Sequence, residues 1–286
     1  GGGKPVDAGK SIAYRLDVPV VIVPTLASND APCSALSVLY TPEGNNDGVE
    51  FYPSNPAMVI VDTNIIAAAG ERYLVAGMGD ALATWYEARV CLNNPDALTP
   101  LGARPTLASW AIAEVCARTL FEHGQAASRA VVANVCDDSL ERVVEANTLL
   151  SGIGFESGGL ALAHPLALAF TQIDAVHHKY LHGEMVAMGT VIQLALEQSE
   201  EAEDVTRFFA RIGLPTHMAQ LSLSLDDTTA LDTIIESALK NKNAHHMPIP
   251  VTANSLRDAI LSANELGKKV ALEIGDEAYR RLHEHK

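Results

Sequence analysis

An α/β unit followed by an all-α unit is the fold class the sequence predicts, and three observations carry it. A glycine-rich opening, Gly1-Gly2-Gly3-Lys4, leads straight into helical spacing. One β-branched run and two further strand-like stretches lie before residue 62, separated by Pro-rich turns. From about residue 66 the helical period takes over and the strand signals stop. On this basis the expected boundary divides the chain into residues 1–66 and 67–286.

Taken in order, Ala8, Ile12 and Ala13 are spaced for a short helix over Asp7–Arg15, with Pro5 near a first turn that has no use for its N–H. Val18–Val23 is a β-branched run interrupted only by Pro19, so a strand buried on both faces is expected. Thr25 to Asp30 forms the loop after it, and Ala35–Tyr40 and Met58–Val61 are the next strands, with turns at Pro42–Asp47 and Pro53–Pro56. A glycine loop, a helix, and a strand with a polar loop at its end make half of a Rossmann-like nucleotide-binding unit. No strand precedes the glycine loop, so the expectation is a partial domain lacking its first strands, in a chain truncated at its N-terminus. Helices are then expected near 78–92, 106–122, 138–163, 183–198, 201–212, 227–240 and 254–283.

With 286 residues, 48% of them hydrophobic, the chain can bury one large core or two ordinary ones. A net charge of −15 argues against nucleic-acid and anionic-membrane surfaces, which need concentrated Lys and Arg. No uninterrupted apolar run approaches the roughly 18 residues needed to span a bilayer. Cys33, Cys91, Cys116 and Cys136 show no C-x-x-C spacing, so neither a thiolate zinc site nor a secreted disulfide framework is expected. A globular, cytoplasmic protein with reduced thiols is the default expectation.

Three side chains stand out for chemistry. Asp80 follows Gly77-Met78-Gly79 and is placed at the start of a helix, where a carboxylate also serves as a cap. His164 is placed at the end of an apolar helix, Phe155–Ala163, just before Pro165, and His182 precedes Gly183-Glu184 and the apolar stretch Met185–Leu196. Each His alone is more ordinary as a hydrogen-bonded structural residue. One carboxylate and two imidazoles from three helix ends together make a three-ligand site for a divalent cation with a position open to substrate. His245 and His246 are expected near this site without contributing ligands, and His177 and His178 are attributed to loop solvation. Cys33 is read as a buried core thiol, with oxidation sensitivity as the rival role.

These motifs, in this order, resemble the glycerol dehydrogenase branch of the iron-containing (group III) alcohol dehydrogenase family. The resemblance rests on Gly-Gly-Gly-Lys with Asp7, on residues 24–38, on Gly77 to Trp85, on residues 145–160 and on His182-Gly183-Glu184. It implies a two-domain dehydrogenase with an NAD domain, a helical domain and a metal site between them. It further implies Asp80, His164 and His182 as metal ligands, with zinc expected and iron as the alternative. Gly2, Gly3, Lys4, Asp7, Thr25, Ser28, Ser34, Leu36 and Tyr40 fall on NAD-contacting positions. Asp30 falls on the position that binds a substrate hydroxyl, so Asp30 and His164 are the implied catalytic residues. Glycerol or a related small polyol is the implied partner, dihydroxyacetone the product, and a homo-oligomer, an octamer, the implied assembly.

The chain departs from the family pattern after His164, where Pro165-Leu166-Ala167-Leu168-Ala169-Phe170 replaces a second His and an Asn-Gly. It also reads His245-His246-Met247-Pro248 where the family has His-Asn-Met-Pro. Two rivals follow. One is a glycerol-phosphate dehydrogenase or dehydroquinate-synthase-like enzyme, disfavoured because few Lys or Arg lie beside the motifs. The other is a metal-binding, self-associating fragment without catalysis.

Overall fold

The computed structural model describes residues 1–41 and 46–284. Helix α1 (Gly3–Leu16) ends where Asp17 adopts a left-handed backbone, φ 53°, and its N–H closes the last turn on the Ala13 and Tyr14 carbonyls. β1 (Val21–Ile22) follows, then β2 (Leu36–Tyr40) and β3 (Asn46–Phe51) as an antiparallel ribbon with Leu36 opposite Phe51 and a bulge between Leu39 and Tyr40. β4 (Met58–Val59) pairs in parallel with β1, Val21 opposite Met58.

This part is sparser in strand than the sequence predicts. Val18–Val23 is not a strand buried on both faces: only two of its residues pair, and Val21 and Val23 remain 52% and 47% exposed while Ile22 is buried. Among the described residues β1 has β4 as its one neighbour, and Pro19 and Pro24 remove donors that would lengthen it. Met58–Val61 likewise shortens to two residues, although the Ile60 N–H still donates to the Ile22 carbonyl at 2.9 Å. Of the expected Pro42–Asp47 turn, residues 42–45 lie outside the described residues, and Asn46 and Asp47 belong to β3. That strand was missed because Asn-Asp-Gly carries turn chemistry.

The helical part begins with α2 (Thr63–Ala67), capped by the Asp62 carboxylate on the Asn64 N–H. Next come α3 (Glu71–Asn93) and α4 (Leu107–Val132), the latter opened by a Thr106/Ser109 capping box. α5 (Asp138–Glu145) runs through a π turn at Ala146–Leu150 into α6 (Ser151–Gly158). α7 (Ala163–Phe170), α8 (Asp174–His177), α9 (His182–Leu196), α10 (Ala202–Ile212), α11 (Thr228–Lys240), α12 (Ala253–Ile274) and α13 (Glu277–His283) complete the chain. No single helix among the described residues is long and apolar enough to cross a membrane.

α3 is the axis of this region, packed against α4, α6 and α9. Every residue from Leu74 to Thr84 is buried, as expected of a helix apolar on nearly all sides. Around it Met78, Leu82, Tyr86, Leu120, Leu140, Leu162, Leu166, Phe170 and Met188 are fully buried and form the core. Two predicted helices change shape. The 138–163 segment stops at Gly158 because Gly159 takes φ 96°, and the 254–283 segment breaks at Gly275.

Candidate functional site

α3 starts at Glu71, so Asp80 sits in mid-helix and caps nothing, contrary to the sequence expectation. Gly77 and Gly79 read as a helix-start signal, yet they are packing holes. A Cβ on Gly77 would stand 1.9 Å from the Ala27 carbonyl oxygen, so only glycine lets the 25–30 loop lie on α3. The start of α9 approaches α3 just as closely, a Cβ on Gly183 falling 1.8 Å from the Ala76 carbonyl oxygen. These contacts bring Asp30, Asp80 and His182 to one place. His164 also differs from expectation: it lies in the first turn of α7, where Pro165 suits the helix N-terminus, and not at the end of a preceding helix.

The three predicted ligands converge. One donor atom from each of Asp80, His164 and His182 lies within 4.8 Å of the others. Asp80 Oδ1 is 3.4 Å from Nε2 of both imidazoles. That oxygen is buried and accepts no hydrogen bond, which is costly unless a cation or proton is supplied. Two imidazoles and one carboxylate suit zinc and iron(II) alike, so the residues fit a divalent cation. Burial pushes the Asp80 carboxyl up, but His182 and His164 outweigh it and hold it below the usual carboxylate range. Burial likewise pulls the His164 imidazole down, and Glu87 and Asp80 more than reverse this.

Asp30 borders the group. Its N–H donates to Asp80 Oδ2 at 3.3 Å, and its Oδ2 accepts from Ser151 Oγ at 2.8 Å, which in turn lies 2.8 Å from Thr84 Oγ1. Burial first, then the Asp80 charge, pushes its carboxyl up to about 7. The π turn contributes Asn147, whose Nδ2 donates to the Ala27 and Leu74 carbonyls and ties the loop to α3.

Sequence reasoning missed Glu87. Its Oε2 lies 2.5 Å from His164 Nδ1, and its side chain is completely buried. Asp80, Thr84 and Glu87 recur at intervals of four and three residues and therefore share one face of α3. A polar stripe along a helix that is otherwise apolar was the available signal. His245 and His246 do not join the converging group among the described residues: His246 Nδ1 is 2.7 Å from the Leu160 carbonyl, and His245 Nε2 is 3.0 Å from that of Leu239. His177 Nδ1 lies 2.9 Å from the Thr171 carbonyl.

The expected cofactor positions fall into two groups. Gly2 and Gly3 begin α1, and a Cβ on either would meet Leu26 or Asn29 at 2.9 and 2.6 Å, so the turn lies against the loop that carries Thr25 and Ser28. Lys4 is exposed in the same first turn. Asp7, Ser34 and Leu36 instead surround the buried Lys10: its Nζ is 3.0 Å from Asp7 Oδ1, 3.2 Å from Ser34 Oγ, and bonded to the Leu36 carbonyl. Asp7 Oδ2 also accepts from the Val38 N–H at 3.1 Å. The Tyr40 backbone ends β2, and its side chain lies outside the described atoms. Burial pushes the Cys33 thiol up to about 12, in keeping with the core role.

Comparison with known proteins finds relatives over most of the chain. A model of the family described as iron-containing alcohol dehydrogenase matches residues 1–70. A glycerol dehydrogenase of Escherichia coli O6:H1 is 48% identical over 276 residues, covering 96% of this chain and 75% of that relative. The crystal structure of glycerol dehydrogenase from Schizosaccharomyces pombe superposes with a TM-score of 0.89 at 36% identity, covering 96% of this chain and 70% of that one. That of a probable glycerol dehydrogenase from Sinorhizobium meliloti 1021 gives 0.88 at 40%, covering 94% and 76%.

Proposed function

The chain belongs to the glycerol dehydrogenase family of iron-containing alcohol dehydrogenases, and we infer from this that it oxidises glycerol to dihydroxyacetone with NAD as the hydride acceptor. One observation carries the reading: the buried, unbonded Asp80 Oδ1 faces two imidazole nitrogens beside Asp30. Asp80, His164 and His182 would hold a divalent cation, zinc in our assignment. Such a cation supplies Lewis-acid polarisation of an alcohol oxygen.

The remaining work falls to the chain. Ser151 fixes the Asp30 carboxylate through its Oδ2, which orients it to accept a hydrogen bond from a substrate hydroxyl. Gly2 and Gly3 let the N-terminus of α1 lie against the 25–29 loop, a helix end whose dipole suits the dinucleotide phosphates. Lys4, Thr25, Ser28 and Tyr40 would contact the dinucleotide in this assignment. Asp7, Ser34 and Leu36 would form the wall behind it through Lys10. Residues 1–66 then form the NAD domain and 67–286 the metal domain, in a cytoplasmic homo-octamer whose mass light scattering would check.

Asp30, Asp80 and Glu87 make the site acidic, which favours an uncharged polyol over its phosphate ester. Replacing His182 by Ala should remove bound metal and NAD-dependent glycerol oxidation together, measured by metal analysis and by NADH formation. Full turnover in the metal-free variant would refute the assignment. Faster turnover of glycerol phosphate than of glycerol would refute the substrate class.

A further inference from the structure

We propose that Glu87 is a positioning residue that sets the tautomer of His164, holding the proton on Nδ1 so that the Nε2 lone pair stays free for a cation. The proposal rests on Asp80, His164 and His182 being a cation site. It begins with the backbone. Once Gly159 ends α6, the chain turns into α7, and the N–H groups of residues 161–164 have no helical partners. Two buried side chains take all four. Gln193 Oε1 accepts from Leu162 and Ala163, each at 3.1 Å, while its Nε2 donates to the Tyr86 carbonyl at 3.1 Å and Glu197 Oε1 at 3.0 Å. Glu87 Oε1 accepts from Ala161 at 2.9 Å and from His164 at 3.1 Å.

Those two N–H donors pin Oε1, which leaves Oε2 facing His164 Nδ1. An ionised carboxylate oxygen can only accept, so Nδ1 must donate. With the proton fixed on Nδ1, the other ring nitrogen, 3.4 Å from Asp80 Oδ1, is the one left to face a cation. His182 is arranged differently. Among the described residues its ring has Asp80 as its one polar neighbour at close range, and its side chain is 50% exposed. Within the site, only His164 has its proton placed by the fold.

Glu87→Gln tests this because its shape is nearly unchanged. The Ala161 and His164 N–H groups still require an oxygen at the Oε1 position, so the new NH2 group must face Nδ1. Nδ1 is thereby made an acceptor, and the proton moves to Nε2, where it blocks coordination. Zinc affinity, measured by chelator competition, should fall about 10- to 100-fold, while the metal-free variant unfolds cooperatively as the parent does. Equal zinc affinity in the two proteins would overturn the proposal and leave the cation site standing. A parent chain that binds no zinc, or loses none on His164→Ala, would overturn both. Should Glu87→Gln fail to fold, nitrogen-15 NMR of the zinc-loaded parent decides: a protonated Nδ1 on His164 supports the proposal, and a protonated Nε2 refutes it.

Discussion

The helices around Asp80 and the first 62 residues both have to fix a loop against a helix, and they do so by different means. Around Asp80 backbone lies directly on backbone, Gly77 admitting the Ala27 carbonyl and Gly183 the Ala76 carbonyl, with Asn147 as a single side-chain clasp. In the first 62 residues side chains bridge the gap. Lys10 gathers Asp7, Ser34 and the Ala31 and Leu36 carbonyls, while Asn55 links the Cys33 carbonyl to Glu156. The first arrangement is fixed by sterics and has nowhere to relax. The second depends on buried polar groups that each need every partner, so it is strong when complete and weak when one member is lost.

That contrast can be broken from either side. Lys10→Met should have the largest effect on stability, about 3–5 kcal/mol, because it strands the buried Asp7 carboxylate and removes a donor from three carbonyls. Hydrogen exchange should report the loss in β2 while zinc affinity stays near that of the parent. A parallel loss of zinc would mean the two regions are not held independently. Gly77→Ala should cost about 1–3 kcal/mol by overpacking, and here loop and metal site should fail together, seen as a lower urea midpoint and weaker zinc binding. Arg142→Ala, which removes an exposed pair with Asp138 on α5, should leave both quantities within measurement error.

Much of the helical part was legible because its apolar period is strong: α9, α10 and α11 lie within a residue or two of their predicted limits. The converging group of Asp80, His164 and His182 was legible as residue types, but not as geometry. Glycine has two uses, ending helices and admitting a neighbour, and the sequence around residue 77 does not separate them. Asp80 was therefore placed at a helix start although it lies inside one. His164 was displaced for a related reason, since the π turn and the stop at Gly159 leave little trace in an apolar segment. Glu87 was overlooked because a lone Glu beside Arg89 and Trp85 resembles an ordinary surface position, and only its spacing from Asp80 sets it apart. β3 was hidden by turn-forming residues that the ribbon uses as strand.

The exposure of Asp80, His164 and His182 has one more consequence. Asp80 is 1% exposed, His164 15% and His182 50%, so the group is graded from sealed to open. Among the described residues of the group, His182 marks the side most open to water. An ion leaving the protein would let go of that ring last as it departs outward, and an incoming one would meet it first. Chelators and competing metals should therefore register changes at residue 182 in their rates, while changes at residue 80 register in the final equilibrium.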